Sequence, residues 1–450
     1  MNQVGAPTPH PGSRWRESIQ AYIRPRTLTM LVLGFSSGLP FLLVGNTLGY
    51  WLRDEGTTLA AIGFLSWVGI AYSLKFLWAP VIDRTRAPVF GRLGRRRGWM
   101  ALAQVVVGAA LILMSTLGTS SGLVVLGAAA LVVAFASATQ DIVIDAWRIE
   151  SAQSGEELGL LSSAYQFGYR VALIATDAVI LVAANHLGWR PSYAIYGLLI
   201  MIGLGATLFA SEPVNADAAI EARSEAAPLS SVRGLYDAIA GPFIAFFQTH
   251  GWLALLMLAA ISLYRLPDFL MGPMANPLYH DIGLSKDLVG SVRGTIGLAA
   301  SFAGIAAGGF WALRFGFMST LIAGGILQAL AVASFALLAH AGANMPVFIA
   351  VMTADNFGIS FAGVALVSYM SSLTTLGYTA TQYALLSSTY AWAGKIMKGF
   401  SGTIVEGLSA SHGLMGAYAI FFVCAGLIGI PAILLFLLLS SRQRGLPQRT

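Results

Sequence analysis

The stretch GLPFLLVGNTLGYWLRDEGTTLAAIG, residues 38–63, has a second copy later in the same chain. Shifted by 227 residues, it aligns with RLPDFLMGPMANPLYHDIGLSKDLVG, residues 265–290. The coinciding residues are Pro40 with Pro267, Gly45 with Gly272, Asp54 with Asp281, Gly56 with Gly283 and Gly63 with Gly290. Because glycine and proline mark turns and helix ends, this common register indicates two halves with the same order of elements.

The duplication continues beyond this stretch. LLSSAYQFGYR from Leu160 aligns with LLSSTYAWAGK from Leu385 at a shift of 225. At the same shift Gly188 and Tyr193 align with Gly413 and Tyr418.

The composition indicates a lipid bilayer as the solvent. Of the 450 residues, 56% are apolar and 10% charged, against roughly 25% charged in ordinary soluble domains. Apolar runs long enough to cross about 30 Å of hydrocarbon as helices occur near 27–52, 59–81, 98–118, 122–147, 159–185, 190–210, 251–280, 286–311, 317–340, 345–371, 379–408 and 413–440. The sequence therefore predicts an all-α membrane protein with twelve transmembrane helices in two six-helix bundles.

The domain organisation follows from where these runs stop. We predict bundles over 27–210 and 251–441, a charged linker over 211–250 that lies partly on the membrane surface, and polar tails over 1–26 and 442–450. No cleavable signal is expected, because the first run is long enough to span. Two such bundles form a parallel repeat with a substrate site near the midplane between them.

The arginines predict the orientation. With the first residue inside, the inner segments carry seventeen arginines and the outer loops only Arg53, Arg190 and Lys286. Cytoplasmic loops carry the excess of positive charge, so both termini are expected in the cytoplasm. The net charge of +6 is then a topology signal, and the alternative is a patch for nucleic acid or anionic lipid at RLGRRR, residues 92–97.

The loop after the second run resembles a known motif. APVIDRTRAPVFGRLGRRRG, residues 79–98, is similar to the loop between helices two and three of the major facilitator superfamily, although Ala79 replaces the usual glycine. The second copy, GFWALRFG from Gly309, has Leu313 in place of the aspartate. We expect Asp83 to accept hydrogen bonds from a helix N-terminus and from arginines and so to latch one conformation. The other residues expected in this latch are Arg84, Asp145, Arg148 and Arg314. The alternative is that these arginines only fix the loop on the cytoplasmic side of the membrane.

At finer detail nearly all of the chain resembles the AmpG muropeptide permeases. The stretches that carry the resemblance are LGFSSGLPF, AYSLKFLWAPVIDR, GRRRGW, AFASATQDIVIDAW and TATQYALLSS. The resemblance implies proton-coupled import of anionic anhydro-sugar peptides across the bacterial inner membrane, in support of peptidoglycan recycling and β-lactamase induction. It implies a monomer with no cofactor beyond the proton gradient. Transport of another organic anion such as acetyl-CoA, or drug export, is the alternative.

Two acids and one lysine lie inside apolar runs. A carboxylate at the bilayer centre costs at least about 2.5–3.5 kcal/mol, so it needs a partner, water or a proton. We predict that Lys75 pairs with Asp141 and that Asp141 carries a proton when Lys75 withdraws; a permanent salt bridge is the alternative. Asp145 is expected nearer the headgroups, in a structural pair with Arg148 or the basic loop.

Two cations occupy equivalent positions of the repeat. Arg170 and Lys395 each lie well inside a predicted helix, and in the superfamily the two helices face the central cavity. We expect both to bind substrate carboxylates; pairing with acids such as Asp177 or Glu406 is the alternative.

Further cavity candidates lie on other helices. Arg265 and Asp268 flank Pro267, and Asp268 is a second candidate proton carrier, although local neutralisation of the two charges is the expected role. Arg293, Gln140 and Gln382 are candidates for substrate contacts, and bracing of helices is the alternative for the glutamines.

No arrangement of residues in the sequence indicates catalysis or metal binding. The sequence contains no Ser-His-Asp arrangement, phosphate loop or redox centre, its histidines are scattered, and it has a single cysteine, Cys424. A receptor would be expected to have a large soluble domain and an intramembrane enzyme a nucleophile or metal. We therefore expect a secondary transporter and no enzyme.

Overall fold

The computed structural model describes residues 23–57, 65, 68–69, 71–213, 231–397 and 400–444. Within these residues the chain is helical and contains no strand. Nine continuous helical stretches of this part of the chain are long and apolar enough to cross a bilayer. Two of them, Leu288–Ala341 and Ser401–Ser441, join helices of successive spans.

The described residues contain parts of all twelve expected spans. The first bundle has α1 (Pro25–Leu43 and Asn46–Asp54), α2 (Ala71–Leu74, Lys75–Leu77 and Ala79–Arg84), α3 (Arg95–Leu117), α4 (Leu123–Ser151), α5 (Gly155–Ile174, Ala175–Val179 and Ile180–Leu187) and α6 (Trp189–Phe209). The second has α7 (Leu253–Tyr264 and Leu266–Asp281), α8 (Lys286–Val292, Arg293–Gly297 and 298–315), α9 (317–341), α10 (Met345–Ser372), α11 (Thr379–Met397 and 401–412) and α12 (414–427 and Ile430–Arg444). The predicted all-α fold is confirmed.

The backbone repeats where the sequence repeats. Gly56 after α1 has a φ of 80° and its counterpart Gly283 after α7 has a φ of 84°. Gly188 between α5 and α6 has φ 86° and ψ 164°, and Gly413 between α11 and α12 has φ 69° and ψ 165°. Residues other than glycine are disfavoured at such positive φ values. The two halves therefore share these glycines because they share the same turn conformations.

The predicted linker contains a helix. Val232–His250, the linker helix, begins after Ser231, whose hydroxyl accepts a hydrogen bond from an amide of the first turn. Its Asp237 pairs with Arg84 of α2 and accepts a hydrogen bond of 3.2 Å from the Tyr378 hydroxyl before α11. The linker helix therefore contacts both bundles.

The bundles pack against each other through α5 and α8. The Ser163 hydroxyl donates to the carbonyl of Ile305 at 3.0 Å. Phe167 stacks on Phe302 with ring centroids 4.4 Å apart. These contacts fix one wall of the space between the bundles.

Candidate substrate site

A cavity of about 330 Å³ lies between the two bundles. Side chains of α2, α4 and α5 line one wall and side chains of α7, α8, α10 and α11 line the other. The charged lining residues are Lys75, Asp141, Asp145, Arg170 and Arg265, and the tyrosines are Tyr165, Tyr169, Tyr383 and Tyr390. The cavity is therefore polar and is built from both repeats.

The predicted ion pair of Lys75 with Asp141 is wrong. The Lys75 Nζ lies 3.7 Å from Asp145 Oδ2, and Asp145 also accepts a hydrogen bond of 2.8 Å from Arg148. Lys75 begins the 3₁₀ segment Lys75–Leu77, which rises faster per residue than an α-helix, so depth counted along a regular helix misplaces its side chain. Asp145 belongs to the cavity wall and is only 3% exposed.

Asp141 has hydroxyl neighbours. Its Oδ1 accepts a hydrogen bond from Ser37 of α1, and the Ser37 oxygen lies 3.0 Å from the hydroxyl of Tyr165. This carboxylate reaches the cavity, so it is accessible to whatever fills that space.

Arg148 lies between the cavity and the arginine-rich loop, residues 92–97. Its guanidinium is fully buried and donates to the Ser371 hydroxyl of α10 at 3.1 Å. It also lies 5.0 Å from the ring centroid of Tyr165 and 5.1 Å from that of Tyr383. One cation of α4 thus contacts α5 in its own bundle and α10 and α11 in the other, and cation–π contacts are strengthened where water is excluded.

Asp83, near the end of α2, contacts the start of α11. Its carboxylate accepts hydrogen bonds from the amide of Ala380 at 3.1 Å and from the amide and hydroxyl of Thr381 at 2.8 and 2.7 Å. Arg96 donates to the same carboxylate at 2.8 Å. These are the contacts expected of Asp83, and its role as a latch stays a prediction.

Glu150 was missed by the sequence analysis. This fully buried carboxylate at the end of α4 accepts from Arg96 at 2.5 and 2.9 Å and from Arg95 at 3.2 Å. Together with Asp83 it neutralises the arginines at the start of α3. The signal available in the sequence was a glutamate at the inner end of a predicted helix, on the same side of the membrane as the three arginines at 95–97.

The other two arginines expected in the latch, Arg84 and Arg314, have different surroundings. Arg84 reaches the linker helix, where it donates to the carbonyl of Gly234 at 3.3 Å and pairs with Asp237. Arg314 is exposed, and its contact in the described part of the chain is the ring of Phe315 at 5.9 Å. The expected place of Arg314 in the latch is wrong for this conformation, because Leu313 supplies no carboxylate to organise that loop.

Arg170 connects the bundles with neutral partners. It donates to the Ser301 hydroxyl of α8 at 3.0 Å and to Oδ1 of Asn356 on α10 at 3.2 Å. Asp177, the acid considered as a partner, is exposed. The side chain of Lys395 lies outside the described residues.

Arg265 and Asp268 neutralise each other. Their side chains form an ion pair of 2.6 Å. The helix is interrupted at Arg265, between Leu253–Tyr264 and Leu266–Asp281, and Pro267 lies at the start of the second piece.

The remaining candidates do not line the cavity. Gln140 is fully buried and donates to the Ser36 hydroxyl at 3.1 Å. Gln382 donates to the carbonyl of Pro242 at 2.9 Å. In both residues the amide nitrogen joins neighbouring helices, which agrees with the bracing alternative, although the Gln140 Oε1 has no partner among the described residues. Arg293 lies over the ring of Tyr279 at 5.3 Å, outside the set of lining residues.

Asp355 was also missed. It is the single charged residue of α10 and is 7% exposed. Its Oδ1 accepts no hydrogen bond from the described residues. One acid in a long uncharged run, as in the case of Asp141, would have identified it.

Two six-helix bundles around a polar cavity define a membrane transporter. Residues 27–394 match the family model of the Major Facilitator Superfamily. The chain is 34% identical over 429 residues to the anhydromuropeptide permease of Escherichia coli K12, covering 94% of this chain and 81% of the relative. It is 29% identical over 419 residues to the putative transporter AmpG 4 of Rickettsia felis, covering 93% and 97%.

Solved structures agree on the fold. The proton:xylose symporter XylE superposes with a TM-score of 0.66 at 15% identity, covering 92% of this chain and 95% of that one. A bacterial homologue of the iron transporter ferroportin superposes with a TM-score of 0.64 at 17% identity, covering 93% of this chain and 100% of that one.

The chain belongs to the Major Facilitator Superfamily and, within it, to the AmpG permeases. It is a multi-pass membrane transporter, and the expectation that it is not an enzyme is confirmed by this membership.

Proposed function

We propose that the protein imports anhydro-muropeptides from periplasm to cytoplasm with protons. The observation that carries this proposal is the 34% identity over 94% of the chain to a protein named an anhydromuropeptide permease. Such import supports peptidoglycan recycling and β-lactamase induction. The protein acts as a monomer in the bacterial inner membrane, with both termini in the cytoplasm and no cofactor beyond the proton gradient.

The cavity chemistry supports an anionic sugar peptide as the substrate. The guanidinium of Arg170 has neutral hydrogen-bond partners, so a substrate carboxylate can replace them and gain a charge-assisted, bidentate contact. Lys395 is its proposed counterpart. Hydroxyl and amide groups such as those of Tyr169, Gln166 and Ser387 line the same space and suit sugar hydroxyls.

The contacts between the bundles suggest how access alternates. Arg148 and Asp83 join the bundles on the side of the arginine-rich loop, which we take to be cytoplasmic, so this conformation is closed to the cytoplasm. Import then requires these contacts to break. Asp141 is the proposed proton carrier on the side of the first bundle, because it reaches the cavity with a hydroxyl as its hydrogen-bond partner. Asp268 is the weaker candidate, because Arg265 already neutralises it.

Transport in proteoliposomes tests the proposal. Purified protein is reconstituted, and uptake of labelled anhydro-muropeptide is measured with and without an imposed pH gradient. We expect accumulation only with the gradient and no competition by excess acetyl-CoA. Uptake of acetyl-CoA in place of the muropeptide, or no muropeptide uptake at all, would contradict the proposed substrate.

A further inference from the structure

Asp355 is a buried acid without an evident structural role. It lies ten residues into α10, is 7% exposed, and its Oδ1 lacks a hydrogen bond from the described residues. An intramembrane carboxylate needs a cation, water or a proton to offset its desolvation. A structural acid would be expected to use both oxygens, as Asp83 and Glu150 do.

The charged neighbours of Asp355 come from three helices. They are Arg170 of α5, Arg265 and Asp268 of α7, and Arg293 of α8. Tyr279 of α7, whose ring lies under Arg293, is the remaining titratable neighbour. Since Arg265 and Asp268 form a pair, the cluster reduces to two arginines and one carboxylate. Its net charge is +1 with Asp355 ionised and +2 with Asp355 protonated.

Arg170 connects this cluster to the cavity. It is one of the lining residues, and it donates to Asn356, the residue that follows Asp355. The Ser301 hydroxyl, 3.2 Å from the same Asn356 oxygen, completes the contact. A substrate carboxylate in the cavity would therefore meet a guanidinium that also feels the charge of Asp355.

We propose that Asp355 is a second proton-binding site of the transporter and that its protonation removes a negative charge from the surroundings of Arg170, so that this guanidinium binds a carboxylate of the substrate more tightly. This inference rests on the proposed function. A proton moves from water to the Asp355 carboxylate as the anion enters, and it returns to water when the anion leaves. Binding of anion and proton then favour each other, as linkage requires for two ligands that act on one group.

The inference differs from the role given to Asp141. Asp355 governs the affinity of the anion, whereas Asp141 governs whether transport is driven. Protons taken up on substrate binding should depend on Asp355 and should be indifferent to Asp141.

Calorimetric binding tests this. An anhydro-muropeptide with free stem-peptide carboxylates is titrated into the full-length protein at several pH values, in buffers of different ionisation heat. For the parent we expect uptake of one proton and an affinity that falls about tenfold per pH unit above the midpoint. Asp355→Asn should show no proton uptake and a nearly pH-independent affinity, and Asp141→Asn should behave like the parent.

Infrared difference spectra give a second readout that needs no substrate. Acidification of the parent should form protonated carboxyl bands, of which Asp355→Asn should lose one that Asp141→Asn retains. Asp355→Glu, which retains the acid, should keep a shifted band and proton uptake if the asparagine variant does not fold. Proton uptake retained in Asp355→Asn, or a set of carboxyl bands identical to that of the parent, overturns the inference. A parent that binds no muropeptide overturns the proposed function instead, and the infrared spectra still decide whether Asp355 takes up the proton.

Discussion

The carboxylate of Asp83 accepts two hydrogen bonds from Thr381, one from its amide at 2.8 Å and one from its hydroxyl at 2.7 Å. The residues are 298 positions apart and belong to different bundles. Asp83 thus caps the N-terminus of α11, where a negative charge is favoured by exposed amides and by the helix dipole. It joins α2 to α11 in the closed arrangement.

Removal of this cap should favour the opening of that end. Loss of a helix cap costs about 0.5–2 kcal/mol, so Asp83→Ala should shift the equilibrium between closed and open states by roughly two- to thirtyfold. Spin labels at exposed Val89 and Leu376, in a Cys424→Ser background, report the separation of the bundles. Thr381→Val loses only the hydroxyl bond and should shift the distances less. Unchanged distances in Asp83→Ala would show that the cap does not control closure.

Glu150 should matter for stability. Glu150→Gln removes a buried charge that Arg95 and Arg96 share, and breaking a buried pair costs on the order of 3–5 kcal/mol. The melting temperature of the purified variant should fall accordingly. Glu156→Gln, an exposed substitution in α5, is the matched control and should melt like the parent. Equal melting of both variants would contradict the structural role of Glu150.

The helices and their order could be predicted because they depend on local pattern. Apolar length determines each span, and the duplicated glycines mark where helices end, as Gly56 and Gly283 do with nearly equal φ values. The contacts of Asp83 were also predictable, because a helix N-terminus attracts an acid wherever the superfamily loop meets it.

The pairing of charges could not be predicted, because it depends on irregular segments. A 3₁₀ turn at Lys75 brings the lysine to Asp145, and no periodicity indicates that turn. Asp355 was missed because its charged neighbours are distant in sequence, on α5, α7 and α8. Gln140 and Gln382 were recognised as polar residues, yet only the packing shows that Ser36 and Pro242 accept hydrogen bonds from their amide nitrogens.

The cavity cations should determine affinity. Arg170→Gln loses a charge-assisted contact worth about 1.5–3 kcal/mol, so muropeptide binding should weaken by ten- to a hundredfold. Its melting temperature should change little, because Ser301 and Asn356 are neutral partners. Lys395→Gln is expected to behave in the same way. Calorimetry and thermal melting decide: undiminished binding with early melting would assign both cations a structural role.

The sidedness is tested by labelling in intact cells. With Cys424 replaced by serine, single cysteines are introduced at Glu225 in the linker and at Gly445 in the C-terminal tail. Since inner segments carry the excess of arginine and lysine, an impermeant maleimide should modify neither site until the cells are opened. A cysteine at exposed Ser120, between α3 and α4, should react from outside. Modification of either inner site in sealed cells would reverse the proposed orientation.

Substitutions of the two acids of α4 should have different effects, one on transport and the other on stability. Asp141→Asn mimics the protonated form and keeps a hydrogen-bond partner for Ser37, so the variant should bind and exchange muropeptide yet fail to accumulate it under a pH gradient. Asp145→Asn leaves Lys75 and Arg148 without their shared counter-charge, at a cost on the order of 3–5 kcal/mol, and it should melt much earlier. Exchange, concentrative uptake and melting are measured for both variants in one preparation. Concentrative uptake in Asp141→Asn would eliminate Asp141 as an obligatory proton carrier, and early melting of that variant would indicate that Lys75 depends on Asp141 after all.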